Sequence, residues 1–253
     1  MHERATMLDL FSGIGGFSYA GNKAGFKTLG FAETDPFCSA ILKKHWPDIP
    51  NHGDVKQLKF PNHVNLITGG FPCQPFSVAG KRKGKDDTRY LWQEFYRIIQ
   101  EARPCWIVAE NVTGLVSLGL DNILSDLEAE NYATTTLVLP ACAANAPHRR
   151  DRLWIIAHHS SERCNQCQYH RARGYLQAHE KRYLPAIQQK WAQLKPVAWE
   201  TYKANDWLDY NTRTSRTDDG LSRRVDRIKA IGNAIVPQVA FAILSLIYSL
   251  EID

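Results

Sequence analysis

The segment Thr6–Gly25, TMLDLFSGIGGFSYAGNKAG, is an apolar run followed by a glycine-rich turn and a stretch of helical character. This order is typical of a β-strand that leads through a tight turn into an α-helix. The alternation recurs in TLGFAE with DPFCSAILKKHW, VNLITGG, TRYLWQEFYRIIQEA, CWIVAEN, LDNILSDLEAE, ATTTLVLP, RLWIIAH and IVPQVAFAILSLIYSL, the last read as a buried closing helix. Nearly continuous apolar strands that alternate with helices predict an α/β fold with a doubly wound, mostly parallel sheet.

The alternation stops near His159, and about sixty residues without a steady period follow. We therefore expect three parts, namely a core at 1–158, a short irregular region at 159–217 and a segment at 218–253 that completes the core. Within the irregular region, Cys164, Cys167 and His170 could seed a zinc site, but a second ligand pair at the usual spacing is missing, so we expect no metal. Cys38, Cys105 and Cys142 are interpreted as buried small apolar residues.

The chain has 253 residues and a net charge of +5, and the surplus lies in one segment. His158–Arg224 contains 12 Lys and Arg against 7 Asp and Glu, while the two signs cancel elsewhere. Basic residues interleaved with aromatic ones suit a nucleic acid, although a solvated basic surface has the same composition. No apolar run is long enough for a bilayer and the charged N-terminus is no secretory signal, so we expect a cytoplasmic protein with reduced cysteines and no membrane partner.

Chemically distinctive residues follow the first strands of the predicted sheet. Gly13–Gly16 follow the first strand and Glu33 ends the second. Ligands of an open parallel sheet bind beyond the carboxyl ends of its strands, where glycine lets the backbone approach closely and an acidic group can accept hydrogen bonds from ribose hydroxyls. Asp54, in HGDV, can hold an exocyclic amine. Because the turn lacks the third glycine of the dinucleotide fingerprint, the pattern favours an adenosine-containing cofactor without a pyrophosphate, such as S-adenosylmethionine.

Cys73 follows the third strand, in the stretch GGFPCQPFSVAG at Gly69–Gly80. Pro72 and Pro75 each fix their own φ, so the thiol stands on a stiff loop at the cleft, as a positioned nucleophile should. Glu110 ends the neighbouring strand, and Arg150 and Arg152 lie beside another strand in HRRDRLWIIA.

This set of groups matches one known reaction. A thiolate that attacks carbon 6 of cytosine makes carbon 5 nucleophilic, while a protonated glutamate at ring nitrogen 3 and an arginine on the exocyclic oxygen stabilise the intermediate. Carbon 5 then takes the methyl group, a base removes its proton, and the thiol leaves. The target base has to leave the double helix to reach such a cleft.

The sequence resembles the cytosine-5 DNA methyltransferase family of bacterial or phage type. The resemblance covers Leu8 to about Ala157 and Asp218 to about Leu246, and it implies the S-adenosylmethionine-dependent methyltransferase fold with 159–217 as a target-recognition region. The matching pieces are DLFSGIGGF, ETD, GDV, GGFPCQPFSVAG, DDTRYLW, ENVTGL, HRRDRLWIIA and DDGLSRRVDRIKAIGNAIVP. The pair GFPCQPFS and ENV is the most specific of these.

The resemblance implies a role for each matching residue. The catalytic residues are Cys73 as nucleophile, Glu110 as the acid at ring nitrogen 3, and Arg152 with Arg150 on the cytosine. The methyl donor is expected to bind at Phe11, Gly13, Ile14, Gly15, Gly16, Glu33, Thr34, Asp54, Val55, Pro72, Asn233 and Ala234. DNA is expected to contact Gln74, Ser77, Lys81, Arg82, Lys83 and Arg89, with Val78–Arg89 as the mobile loop of the family.

The sequence departs from the family pattern at His148, Asn65 and Thr34, and its target-recognition region is unusually short. The expected partner is double-stranded DNA bound by a monomer, with a cognate restriction endonuclease as a further possible partner. Two alternatives stay open at this point, namely cytosine-5 methylation of tRNA by the same chemistry, and a non-catalytic DNA-binding relative.

Overall fold

A computed structural model describes residues 4–60, 63–72, 91–144, 146, 149–159 and 233–252. Residues 251 and 252 are described in backbone only. The described strands are β1 (Thr6–Leu10), β2 (Lys27–Ala32), β3 (Leu66–Gly69), β4 (Trp106–Val112), β5 (Tyr132–Pro140) and β6 (Asp151–His159). The described helices are α1 (Gly16–Ala24), α2 (Pro36–His45), α3 (Trp92–Ala102), α4 (Leu115–Leu118), α5 (Leu120–Ala129) and α6 (Pro237–Ile252), with a 3-10 turn at Ala141–Ala144.

The described strands form one sheet in the order β2-β1-β3-β4-β6-β5. β1 pairs in parallel with β2 and β3, and β3 pairs in parallel with β4. β6 runs antiparallel to both β4 and β5. The predicted mostly parallel α/β sheet is therefore confirmed, with β6 as the antiparallel strand among those described.

Helices cover both faces of this sheet, because successive strand residues point to opposite sides. In β4, Ile107 and Ala109 face the layer of α3 and α5, whereas Trp106 and Val108 face the layer of α1 and α6. α6 presents Val239, Ala240, Ile243, Leu244 and Ile247 to that second layer, as expected for a buried closing helix.

The cysteines differ from their sequence-based interpretation at two positions. Cys38 is buried as expected, but Cys142 is exposed because it lies on the outward side of the 3-10 turn. Cys105 is buried but disulfide-bonded, so the expectation that every thiol is reduced was wrong. The predicted region 159–217 and the first part of 218–253 lie outside the described residues, apart from His159.

Asp9 is the buried carboxylate that joins β1, β3 and α1. Its Oδ2 accepts hydrogen bonds from the Ser18 backbone N–H (3.1 Å) and from the Ser18 hydroxyl (2.7 Å). Its Oδ1 accepts one from the Thr68 hydroxyl (3.2 Å) on β3. The N-cap of α1 is Gly15, which has no side chain to bond the first turn, so Asp9 takes over that role from the neighbouring strand.

Burial raises the pKa of Asp9 from 3.8 to about 7. Between pH 4 and pH 7, Asp9 is therefore mostly protonated in the folded chain and mostly ionised in the unfolded chain. Because the folded state binds more protons in this range, the free energy of unfolding decreases as pH rises. From pH 5 to pH 7 the free energy of unfolding of the wild type should fall by about 2 kcal/mol more than that of Asp9→Asn, which cannot titrate. Urea denaturation at both pH values measures this difference, and equal pH dependence of the two proteins would contradict it.

Candidate functional site

The turn between β1 and α1 forms one wall of the candidate site. Phe11, Gly13 and Gly15 all have positive φ, at 51°, 53° and 86°. A Cβ at Gly15 would lie 2.6 Å from the Trp46 ring, so this glycine is required by close packing. A Cβ at Gly13 would meet nothing within 4 Å, so the backbone there borders open space that a ligand can enter.

Glu33 follows β2 directly and faces that turn. Its Oε2 accepts a hydrogen bond from the Gly13 N–H (2.7 Å), and its Oε1 accepts one from the Asp35 N–H (2.7 Å). Each carboxylate oxygen has a second acceptor position, so Glu33 keeps acceptor capacity for hydroxyl donors such as those of a ribose. Thr34 is exposed beside it, while Asp35 caps α2 through the Phe37 and Cys38 N–H groups.

The segment that carries Asp54 lies beyond the edge strand β2. Gly53 has a φ of 74°, and a Cβ there would meet nothing within 4 Å, so this backbone also borders open space. Asp54 Oδ1 accepts a hydrogen bond from the Lys56 N–H (2.9 Å), while Val55 is buried in the core. An acidic pair on two open backbone segments fits an adenosine-containing ligand, whose ribose and amine both donate hydrogen bonds.

Glu110 lies on β4 at the other side of the site, two residues before the strand ends at Val112. A Cβ placed on Gly70 would lie 3.5 Å from Glu110 Oε2, so the carboxylate stands over the backbone that follows β3. The neighbouring Asn111 Nδ2 donates a hydrogen bond to the Phe71 carbonyl (3.0 Å). The residues just before Cys73 are therefore held against β4 at the level of Glu110.

The antiparallel pairing of β4 with β6 brings Arg152 to Glu110. Arg152 pairs with Val112, so it is the diagonal neighbour of Glu110 on the same face of the sheet. Arg152 Nε lies 3.0 Å from Glu110 Oε1. Glu110 is only 8% exposed, and burial raises its pKa even though Arg152 and Arg150 counteract that rise. The site therefore holds a carboxyl group that is easier to protonate than an ordinary one.

Arg150 is turned toward the C-terminal segment. Its Nη2 donates a hydrogen bond to the Ala234 carbonyl (2.9 Å), and burial lowers the pKa of its guanidinium. A Cβ on Gly16 would lie 2.8 Å from Ile235 Cγ1, so the Asn233–Ile235 segment lies against the glycine turn. Arg150 thus links the start of β6 to the Asn233–Ile235 segment, which lies against the glycine turn.

Among the described site residues, the structure joins Gly13 to Glu33, Arg150 to Ala234 and Arg152 to Glu110. Cys73 and the six predicted DNA contacts lie outside the described residues, as do His148, Cys164, Cys167 and His170. Sequence reasoning gave no role to Asn51 or Asn111, although both contact residues of the site through their amides. The only signal for Asn111 was its place in the ENV motif.

Two further searches cover the described part of the chain only. There, no group of three or more His, Cys, Asp or Glu side chains could hold a metal ion. None of the described helices is long and apolar enough to span a membrane.

Comparison with known proteins finds type II methyltransferases among the relatives. The chain is 34% identical over 174 residues to the type II methyltransferase M.AquIA of Picosynechococcus sp., covering 59% of this chain and 70% of that protein. It is 38% identical to the type II methyltransferase M.Eco47II of Escherichia coli, covering 60% of this chain but 39% of that protein.

Solved structures give a matching fold. A putative DNA modification methyltransferase encoded within an Escherichia coli prophage has a TM-score of 0.52 and 27% identity, covering 61% of this chain and 47% of that one. A mutant of Spodoptera frugiperda DNMT2 has a TM-score of 0.53 at 23% identity, covering 63% and 51%, and this likeness shows the fold alone. The methyltransferase fold expected from the sequence is confirmed.

The strongest finding is a match to a family model over most of the chain. A family model described as C-5 cytosine-specific DNA methylase matches residues 5–219, which include the glycine turn, Cys73, Glu110 and both arginines. The chain therefore belongs to the C-5 cytosine-specific DNA methylase family.

Proposed function

We propose that this chain transfers a methyl group from S-adenosylmethionine to carbon 5 of cytosine in double-stranded DNA. The proposal has the reaction pass through a covalent adduct of Cys73 with a cytosine flipped out of the helix. The observation that carries it is the buried Glu110–Arg152 pair, held over the backbone that leads into Cys73, in a chain of the cytosine-5 family.

S-adenosylmethionine supplies an electrophilic methyl group when it is bound. Gly13 and Glu33 would line the space for the amino-acid and ribose portions, and Asp54 would offer an acceptor for the adenine amine. Two features support this assignment: the backbone borders open space at Gly13 and at Gly53, and each glycine has an acidic neighbour, since Glu33 accepts a hydrogen bond from the Gly13 N–H and Asp54 directly follows Gly53 in the chain. The full set proposed to hold it is Phe11, Gly13, Ile14, Gly15, Gly16, Glu33, Thr34, Asp54, Val55, Pro72, Asn233 and Ala234.

Cys73 is proposed to form the bond from sulfur to carbon 6 of the cytosine. An ordinary thiol is only a few per cent ionised at neutral pH, and cationic neighbours favour its thiolate form. The electron pair moved into the ring is then available at carbon 5, which takes the methyl group. Loss of the carbon 5 proton to a base lets the sulfur leave and restores the ring.

Glu110 is proposed to hold a proton at ring nitrogen 3 while the adduct exists. Its raised pKa supports this role, because burial makes this carboxyl easier to protonate, and a protonated carboxyl can donate to a ring nitrogen. Arg152, whose Nε contacts Glu110, both orients the carboxyl and presents a cation for the exocyclic oxygen. Arg150, whose Nη2 donates to the Ala234 carbonyl, is proposed to contact the cytosine beside Arg152.

A carboxyl that is 8% exposed is out of reach for a base inside a duplex, so the target cytosine must be flipped out. The residues proposed to contact the DNA around it are Gln74, Ser77, Lys81, Arg82, Lys83 and Arg89. Their charge supports the proposal, because lysine and arginine neutralise phosphates. Because type II methyltransferases are among the relatives, we propose a cognate restriction endonuclease as a further partner. We also propose that the protein acts as a monomer in the cytoplasm.

A fluorinated substrate tests the covalent step. Bisulfite sequencing of DNA from cells that express the chain first locates the methylated cytosine. A duplex with 5-fluorocytosine at that position, mixed with S-adenosylmethionine, should then give a complex that survives denaturing electrophoresis, because fluorine cannot leave as a cation.

Cys73→Ser should give no complex, whereas Cys142→Ser, which removes an exposed thiol, should give as much as the wild type. Tritium transfer from labelled donor to DNA and to tRNA identifies the substrate class. Methylation of tRNA alone, or no adduct on a methylatable duplex, would refute the proposal.

The acid role of Glu110 makes a separate prediction. Glu110→Gln cannot supply the proton and should lower kcat by about 100- to 10,000-fold. In the wild type, the protonated carboxyl should increase kcat at pH values below the raised pKa of Glu110, and kcat should decrease as pH rises through that pKa. The variant has no such carboxyl, so this decrease of kcat should be absent from its pH profile.

Single-turnover rates from pH 5.5 to 9 measure this profile. Glu128→Gln, a change to an exposed carboxylate on α5, is the matched control and should leave the profile unchanged. A Glu110→Gln enzyme with wild-type rate and profile would show that this carboxyl is not the acid.

A further inference from the structure

The segment between α2 and β3 carries Asp54, yet it has little regular structure of its own. In the described part of this segment, an isolated bridge joins Asn51 to Phe31 of the edge strand β2. Two backbone hydrogen bonds make this bridge, from the Phe31 N–H to the Pro50 carbonyl (2.9 Å) and from the His52 N–H to the Phe31 carbonyl (2.8 Å). Beyond this short stretch of pairing, side chains have to hold the segment in place.

Asn51 extends the pairing by means of its side-chain amide. Its Oδ1 accepts from the Glu33 N–H (3.0 Å), and its Nδ2 donates to the Glu33 carbonyl (3.1 Å). One side chain thus satisfies both backbone groups of Glu33, as a residue of an adjacent strand would. The same amide accepts from the Gly53 N–H (3.2 Å) and donates to the Ser39 hydroxyl (3.1 Å), so its four hydrogen bonds use its full capacity.

Arg97 on α3 holds the other end of the segment. Its Nη2 donates to the Val55 carbonyl (2.8 Å), and its Nη1 donates to the Leu58 carbonyl (3.0 Å). Glu94 and Glu101 fix the guanidinium, at 2.9 Å from Nε and 2.6 Å from Nη1. A planar fork with several donors is the group that can bind two carbonyls and two carboxylates at once.

Both contacts act on residues of the proposed cofactor site. Asn51 joins the backbone of Glu33 to Gly53, the residue before Asp54, and Arg97 holds the turn that begins at Asp54. Together with the backbone bonds at Phe31, these two side chains therefore hold Glu33 and Asp54 relative to each other. Asn51 itself is exposed, so its amide contributes little to the apolar core.

We propose that Asn51 and Arg97 are positioning residues for the adenosine part of the methyl donor. Asn51 fixes Glu33 relative to Gly53 and Asp54, and Arg97 fixes the turn that carries Asp54 and Val55. The proposal rests on the proposed function, because it assigns the space between Glu33 and Asp54 to the cofactor. It adds the residues that give this space its shape.

Binding measurements on Asn51 variants test the proposal. Asn51→Ala removes both bonds to the Glu33 backbone, and Asn51→Asp keeps the acceptor but loses both donors. Each should weaken S-adenosylmethionine binding, measured by calorimetry, by about 5- to 20-fold. The KM for the donor should rise by a similar factor, while kcat and the KM for DNA stay within about twofold.

Asn65 provides a matched control at the opposite end of the strands. Its Oδ1 accepts from the Thr6 N–H (2.8 Å) and the Thr6 hydroxyl (3.0 Å), so Asn65→Ala also removes amide bonds to a strand backbone. Thermal denaturation with and without saturating donor separates the two roles. Asn65→Ala should lower the melting temperature equally in both conditions, whereas Asn51→Ala should reduce the increase that the donor produces.

Arg97 is tested with Arg97→Lys and Arg97→Met. Lysine keeps the positive charge beside Glu94 and Glu101, but its single ammonium group lacks the planar, forked donors that let arginine bond both carbonyls. Arg97→Lys should therefore bind S-adenosylmethionine more tightly than Arg97→Met and less tightly than the wild type. The loss in Arg97→Met should again appear in donor affinity and donor KM rather than in kcat.

Two results would overturn the proposal. Variants of Asn51 and Arg97 that bind the donor as tightly as wild type would show that these side chains serve the fold alone. A wild-type protein that binds no S-adenosylmethionine would refute the proposed function itself, and the proposal with it.

Discussion

Asp9 occupies the position where the first strand, its parallel neighbour and the first helix meet. A carboxylate without solvent is stable only when its oxygens are hydrogen-bonded, and here Ser18 and Thr68 supply those bonds. The Ser12 hydroxyl also donates to the Asp9 carbonyl (2.6 Å), so the turn is tied to the strand at its beginning and at its end. The open backbone at Gly13, on which the proposed cofactor site depends, exists because this turn is held from within.

The proposed catalytic half of the site contains a second buried acid, Glu110, in a different setting. Glu110 has a cation within 3.0 Å, whereas the Asp9 carboxylate is bonded by neutral donors only among the contacts described. Burial is the main cause of the raised pKa at both positions, but the arginines beside Glu110 counteract it. One acid thus shapes a turn, and the other is the acid that we propose exchanges a proton with the cytosine.

The sheet is completed at its two sides by different means. On the catalytic side, the antiparallel strand β6 brings Arg152 diagonally onto Glu110. On the cofactor side, the pairing beyond β2 is a single bridge, and the amide of Asn51 continues it. Side-chain hydrogen bonds from Asn51 therefore position the backbone next to β2, whereas backbone pairing between β4 and β6 positions Arg152 beside Glu110.

The sequence by itself determined the strands and helices, because apolar periodicity and glycine turns are local signals. It also placed the glycine turn, Glu33 and Glu110 at one edge, since the carboxyl ends of parallel strands lie together. It could not reveal that β6 is antiparallel, that Arg150 is anchored on Ala234, or that Asn51 binds Glu33. Those contacts join residues 84 and 18 positions apart in the chain, and only the folded structure decides which distant donor meets which acceptor.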